Sequence, residues 1–123
     1  MQDHAGGLRG ERLTRAISAA MVTLYAAVYT HDRTTASTYI NDDVVVCILE
    51  NVLTSTEQDM VAAGAASEVI DGRVAFQADR EDAFSAAVER LTQRKVVAFM
   101  SANQASPGIA SEMFFLAPVE TDP

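Results

Sequence analysis

The chain has 123 residues, a formal net charge of -8 and a hydrophobic content of 49%. That length fits one domain with a sizeable core. The acidic balance argues against a sequence-independent grip on nucleic acid and against docking on anionic lipid, because both need clustered Lys and Arg. Cys47 is the one cysteine, so no internal disulfide can form and a reducing compartment is favoured. We therefore expect a cytoplasmic protein without a nucleic-acid partner.

A membrane segment is not expected either. The most apolar helical stretch, residues 16–29, is shorter than the roughly 20 residues that a spanning helix needs, and it contains Ser18 and Thr23. The first residues, "MQDHAGGLRGER", carry no apolar core of the signal-peptide type. We predict no direct membrane insertion.

The first predicted element is a helix from about Glu11 to Tyr29, a segment without Gly or Pro. Its apolar residues form two adjacent stripes, Leu13-Ile17-Met21-Leu24-Val28 and Val22-Tyr25-Tyr29. Together the stripes are wider than the contact with one sheet face requires. We expect the first stripe to cover a sheet and the second, Val22, Tyr25 and Tyr29, to form the interface of a homodimer. The alternative is that the later helix of the same chain covers the second stripe.

Two strands follow, "STYI" and "VVVCIL", joined by the turn "NDD" at residues 41–43. The second strand is continuously apolar. Such a run is typical of a central strand that is covered on both faces. Cys47 within it is predicted to be a small buried hydrophobe.

The second half of the chain adds two helical segments and two strands. We predict a helix from about Ser55 to Ala63 that stops at Gly64, a helical segment over 67–94, and strands at 95–101 and 111–117. The order is α-β-β-α-α-β-β. It indicates a single α+β domain with a mainly antiparallel four-stranded sheet covered by helices. The predicted organisation is a flexible N-terminus at 1–10, the domain at 11–118 and a tail at 119–123.

The cluster "TSTE" at residues 54–57 could be a reactive group or the start of a helix. Thr54 and Glu57 fit the S/T-x-x-E pattern of a capping box, in which each side chain binds the other residue's amide. The alternative is a helix N-terminus that binds an anion, but Glu57 would repel one. We interpret the cluster as a helix cap.

Other chemistry is sparse in the sequence. His4, His31 and Cys47 have no metal-ligand spacing, and the common nucleotide and hydrolase motifs are absent. We therefore predict no catalytic residue, no metal and no cofactor. A ligand or partner contact is assigned to His31 and Arg33, in a polar loop, and to Arg73, which lies between Ile70 and Phe76 and could bind a carboxylate, bicarbonate or a backbone carbonyl.

Three stretches together resemble the MpsC family: "TYINDDVVVCILENVLTSTEQDMV", "GRVAFQADREDAFSAAVERLTQRKVVAFMS" and "MFFLAP". The resemblance covers about residues 10–118. Members usually carry a Gly-rich segment that ends in Gly-Pro before the first strand, whereas this chain has "HDRTTAST" there. The resemblance implies a soluble protein that assists a membrane ion or bicarbonate transport system.

We therefore predict a non-enzymatic cytoplasmic accessory or regulatory protein that acts through self-association and protein partners, including a membrane transport subunit. One alternative is a small-molecule or anion sensor that uses His31, Arg33 or Arg73. The other is an RNA-binding protein of KH-like shape, against which the acidic balance and the missing GXXG loop count.

Overall fold

A computed structural model describes residues 8–31 and 33–119, and the predicted α+β class and order of elements are confirmed. Within these residues there are four helices and four strands. The helices are α1 Gly10–Ala26, α2 Ser55–Ala62, α3 Ala66–Asp79 and α4 Glu81–Thr92, and the strands are β1 Thr35–Asn41, β2 Val44–Glu50, β3 Val96–Gln104 and β4 Ile109–Leu116. Most of the predicted flexible N-terminus and of the tail lies outside the described residues.

The strands form one antiparallel sheet in the order β1-β2-β4-β3. The hairpin between β1 and β2 turns at the predicted place, where Asp42 has a positive φ of 55°. The apolar strand β2 is central, as predicted. The chain's own helices cover only one of its two faces: Val45, Cys47 and Leu49 are buried there, while the residues between them in β2 are half-buried on the other face. The predicted cover of that second face does not come from the described helices.

The core lies between the covered face of the sheet and the helices. The buried residues of α1 are Ile17, Met21 and Tyr25, which recur every four residues and therefore share one side of the helix. Tyr25 therefore belongs with Ile17 and Met21, not with the second stripe to which the sequence analysis assigned it. Val28, which was predicted in the first stripe, follows the end of α1 and is exposed.

The helical segment predicted over 67–94 is divided into α3 and α4 at Arg80. Phe76 precedes the division and Phe84 follows it, and both rings pack on Tyr25, with centroids 5.0 and 5.9 Å from its own. The interruption at Arg80 thus separates two rings that share the same part of the core. Gly72 lies in the interior of α3 without any close neighbour.

Candidate functional site

The predicted capping box at the start of α2 is confirmed. The amide of Glu57 donates to Thr54 Oγ1 over 3.1 Å, and the amide of Thr54 donates to Glu57 Oε1 over 2.8 Å. Two helix-terminal donors are thus satisfied. Glu57 also has a second role, because its carboxylate binds a residue from α3.

That residue is Arg73, whose side chain is 2% exposed. Its Nε donates to Glu57 Oε2 over 2.9 Å and its Nη2 to Glu57 Oε1 over 2.6 Å, a bidentate ion pair. Nη2 also donates to the carbonyl of Val52, and the guanidinium carbon lies 3.4 Å from the ring centroid of Tyr29. We call Arg73, Glu57, Tyr29 and Val52 the Arg73 cluster. The Arg73 cluster connects α2, α3, the segment after α1 and the segment after β2.

Charge in the Arg73 cluster is balanced. Burial alone would raise the pKa of Glu57. The hydrogen bonds from Arg73 and from the amide of Thr54 lower the pKa by more than burial raises it, so the pKa lies below its usual value. Burial raises the pKa of Tyr29, with a smaller opposing effect of the Arg73 charge. Glu57 is therefore an anion at neutral pH, paired with the Arg73 cation.

The other two predicted contact residues, His31 and Arg33, bind backbone carbonyls of the segment Val52–Leu53. His31 Nε2 donates to the carbonyl of Val52 over 3.2 Å, and Arg33 Nη2 donates to the carbonyl of Leu53 over 3.1 Å. Gly108 approaches the same segment so closely that a Cβ on it would lie 2.7 Å from Leu53 Cγ, which explains why glycine stands there.

The structure thus brings His31, Arg33 and Arg73 together, although they are distant in sequence. Each binds carbonyl groups of the chain itself, and Arg73 binds its Glu57 carboxylate as well. Since Arg73 is almost fully buried, its guanidinium offers no surface to an external anion in this conformation. The three side chains therefore hold the segment Val52–Leu53 in place.

A second polar cluster lies beneath α1 and α3, around Glu112 of β4, which is 0% exposed. Its Oε2 accepts from the hydroxyl of Tyr25 over 2.5 Å and from Gln77 Nε2 over 3.0 Å. Its Oε1 accepts from the hydroxyl of Ser101. Gln77 in turn exchanges two hydrogen bonds with the amide of Asn103, 2.8 and 3.1 Å long. We call these five residues the Glu112 cluster.

The Glu112 cluster contains no Lys, Arg or His, in contrast to the Arg73 cluster. Burial raises the pKa of Glu112, and the hydrogen bonds from Ser101, Tyr25 and Gln77 reduce that rise without cancelling it. Burial, together with the charge of Glu112, raises the pKa of Tyr25 as well, so its hydroxyl stays protonated and remains a donor. The arrangement can hold a proton on the carboxyl or stabilise its charge through neutral donors.

Glu112 and Gln77 were not predicted as site residues. A signal existed for Glu112, because Ala110, Glu112, Phe114 and Leu116 alternate with their neighbours and all four are buried. For Gln77 the signal was its position four residues after Arg73 on α3, next to Phe76.

Cys47 is buried, as predicted, with 0% exposure. Burial raises the pKa of its thiol to about 11, and a weaker hydrogen bond with Thr38 lowers it. A thiol that is protonated and enclosed is a poor nucleophile. Cys47 acts as a small core residue.

The three residues predicted for a homodimer interface occupy different environments. Tyr25 is 2% exposed and belongs to the Glu112 cluster. Tyr29 is half-buried and packs on Phe76 with ring centroids 4.8 Å apart. Val22 is half-buried on α1. Both tyrosines are thus engaged within their own chain, which is the alternative that the sequence analysis left open.

A different surface is left without a cover: the sheet face opposite the helices, here called the open face. Its cross-strand rows are Asn41-Val44-Phe115-Ala98, Tyr39-Val46-Met113-Met100, Ser37-Ile48-Ser111-Ala102 and Thr35-Glu50-Ile109-Gln104. Glu50 is the one charged residue among them, and it lies in the last row. Tyr39 is 62% and Met100 56% exposed, so large apolar side chains meet solvent here.

Neither a metal centre nor a membrane span is found in the part of the chain that the structure describes. Residues 8–31 and 33–119 bring no three His, Cys, Asp or Glu side chains together where they could hold a metal ion. None of the helices in these ranges has both the length and the apolar character needed to cross a bilayer.

The fold and its polar clusters define a class: an α+β domain in which helices cover one face of a four-stranded antiparallel sheet and leave the other open. The chain matches the family model described as "Na+-translocating membrane potential-generating system (MpsC)" over residues 10–118. Because this match covers nearly the whole chain, the protein belongs to the MpsC family, and the predicted resemblance is confirmed. No curated protein and no solved structure matches the chain.

Proposed function

We propose that this protein is a non-enzymatic cytoplasmic accessory or regulatory component of a membrane system that translocates Na+ and generates a membrane potential, and that it acts by binding proteins. The observation that carries the proposal is the family match over residues 10–118. The partners are a membrane transport subunit and further copies of the chain.

The polar clusters support a non-enzymatic role. An active site needs groups that can reach a substrate. Arg73, Glu112 and Gln77 are instead 2% exposed or less, and the hydrogen bonds of these side chains go to other groups of the same chain. They specify how the helices sit on the sheet.

The open face supports binding through apolar contact. It presents Tyr39 and Met100 to solvent and contains no Lys or Arg. A nucleic acid would need positive charge there, so the face fits a protein better than an RNA.

Deletion of the gene tests the proposed function. In cells that lack this protein, the part of the membrane potential that depends on Na+, measured with a voltage-sensitive dye in media with and without Na+, should fall. The wild-type chain should restore it, and a membrane transport subunit should co-purify with the tagged chain from detergent-solubilised membranes. An unchanged Na+-dependent potential in the deletion strain would contradict the proposal.

A further inference from the structure

We infer that the open face is the interface of a homodimer, in which the sheets of two copies pack against each other and the helices lie on the outside. This inference names one partner within the proposed function and rests on its claim of self-association. It moves the predicted interface from α1 to the sheet, because Tyr25 and Tyr29 are engaged within their own chain.

The side chains of the open face suit such contact. Its central rows contain Tyr39, Val46, Met113 and Met100, and beside them Val44, Ile48 and Phe115. Two sheets pack face to face at about 10 Å by interdigitating side chains of this kind. Glu50 lies in an end row, where it can stay in contact with water. A second copy of the face would therefore bring apolar side chains against apolar side chains.

The distribution of charge favours a second copy over a charged partner. Each chain has a formal net charge of -8, but the acidic residues of the helices lie on the far side of the sheet: Glu11, Glu57, Asp59, Glu68, Asp71, Asp79, Glu81, Asp82 and Glu89. In a face-to-face dimer the two helical layers are separated by two sheets, a distance well beyond the Debye length of about 8 Å at physiological salt. Repulsion between the copies is thus screened, and a basic partner would find only Glu50 to pair with.

The area of the open face is close to the lower limit for a small specific interface. Four strands spaced about 4.8 Å apart, with about seven residues of 3.4 Å each, give a flat footprint of roughly 450 Å² per copy. Two copies hide roughly 900 Å² before the relief of side chains such as Tyr39 and Met100 is counted, close to the threshold of about 1,000 Å² for a biological interface.

Sedimentation velocity on the full chain tests the inference. At about 50 µM the wild type should sediment with twice the 13.2 kDa mass of one chain. Tyr39→Lys and Met100→Lys each place a charge at one end of the Tyr39-Val46-Met113-Met100 row, on the edge strands β1 and β3, and should weaken the dimer by about 100-fold or more. Both residues are more than half exposed in the single chain, so the monomer should keep its circular dichroism spectrum.

Val74→Lys is the matched control, because Val74 is a 52% exposed apolar residue on α3, away from the open face. This variant should remain a dimer. If a lysine variant loses the circular dichroism spectrum of the folded chain, the alanine variant at the same position is used in its place. Met100→Ala and Tyr39→Ala should each weaken the dimer by about 10-fold.

Three results would overturn the inference: a wild type that is monomeric at 50 µM, a dimer that survives both lysine substitutions, or a dimer that Val22→Glu dissociates while the open-face variants do not. These results are separate from a failure of the proposed function. A monomer that still binds a membrane transport subunit overturns the dimer alone, whereas an intact dimer with an unchanged Na+-dependent potential overturns the function alone.

Discussion

Both faces of the sheet carry apolar side chains, but the two faces are covered differently. On the covered face, Val45, Leu49 and Phe114 are fully buried and belong to the same core cluster as residues of α1, α3 and α4. On the open face, the residues that alternate with them in β2 and β4, such as Val46 and Phe115, stay half-buried. Apolar content in a strand therefore does not show which side the chain's own helices cover.

The covered face also contains the polar groups that fix the helices in place. Glu112 projects from this face and binds Tyr25 of α1 and Gln77 of α3. These hydrogen bonds fix the positions of α1 and α3 relative to the sheet. The open face has no comparable group. We conclude that the covered face specifies the fold of one chain, while the open face is available for contacts between chains.

Neighbouring phenylalanines on β4 give the sharpest test of this comparison. Phe114→Ala on the covered face should cost about 3–5 kcal/mol in the free energy of unfolding, because it leaves a cavity in the core. Phe115→Ala on the open face should cost roughly 1 kcal/mol, when both are measured by urea unfolding in the Tyr39→Lys background, where the dimer is weakened. Equal costs would show that the two faces contribute alike to the single chain.

Substitution of Arg73 should lower the free energy of unfolding almost as much as substitution of a core residue. Arg73→Ala removes the charged partner of Glu57 and one of the two donors to the Val52 carbonyl, and loss of one member of a buried pair typically costs about 3–5 kcal/mol. Arg73→Lys should cost less but not nothing, because an ammonium cannot form the bidentate pair. The exposed Arg90 is the control, and Arg90→Ala should change the unfolding free energy by less than about 0.5 kcal/mol. A cost for Arg73→Ala as small as that of the control would contradict the structural role of the Arg73 cluster.

The pKa of Glu112 predicts a dependence on pH of a defined sign. Its folded-state pKa is raised, so its contribution to stability is fully present below the unfolded pKa of about 4.3 and is lost as the pH rises through the folded value. Glu112→Gln removes this loss. The variant should gain stability relative to the wild type as the pH rises from about 4 to 7, in urea unfolding at each pH.

The control for that series is Glu68→Gln, which alters an exposed carboxyl on α3. Its stability relative to the wild type should change less with pH than that of Glu112→Gln. A Glu112→Gln variant that loses stability relative to the wild type over the same range would contradict the assignment.

The smallest expected effect concerns the cap of α2 on the covered side. Thr54→Ala should cost about 1 kcal/mol, since it removes the acceptor of the Glu57 amide. Ser55→Ala, next to it at an exposed position, should be close to neutral. Glu57→Ala should cost more than Thr54→Ala because it also removes the partner of Arg73. A cost for Thr54→Ala no larger than that of Ser55→Ala would contradict the role of Thr54 as the cap.

Local patterns in the sequence were enough to predict the elements. The order of helices and strands, the Asp42 turn, the Thr54 cap and the burial of Cys47 all depend on residues close together along the chain, and all are confirmed. The division of the 67–94 segment at Arg80 has no Gly or Pro to mark it, and it depends on how Phe76 and Phe84 pack on Tyr25.

The polar clusters could not be predicted from local patterns, because their partners are distant in sequence. Arg73 was expected to bind a carboxylate, bicarbonate or a backbone carbonyl, but only the fold shows that it binds a carboxylate and a carbonyl of the chain itself. The side of the sheet that the helices cover likewise depends on tertiary packing, and the continuous apolar run of β2 looks the same whether a helix or a second copy covers its other face.

The most direct test of the open-face interface uses the methionine methyl groups. Met100 and Met113 lie on the open face, while Met21 is 0% exposed in the core and serves as an internal reference. In NMR spectra of the chain with labelled methionine methyls, a soluble paramagnetic agent should broaden Met100 and Met113 strongly in Tyr39→Lys and weakly in the wild type, with Met21 protected in both. Equal and strong broadening of Met100 and Met113 in the two proteins would contradict the account.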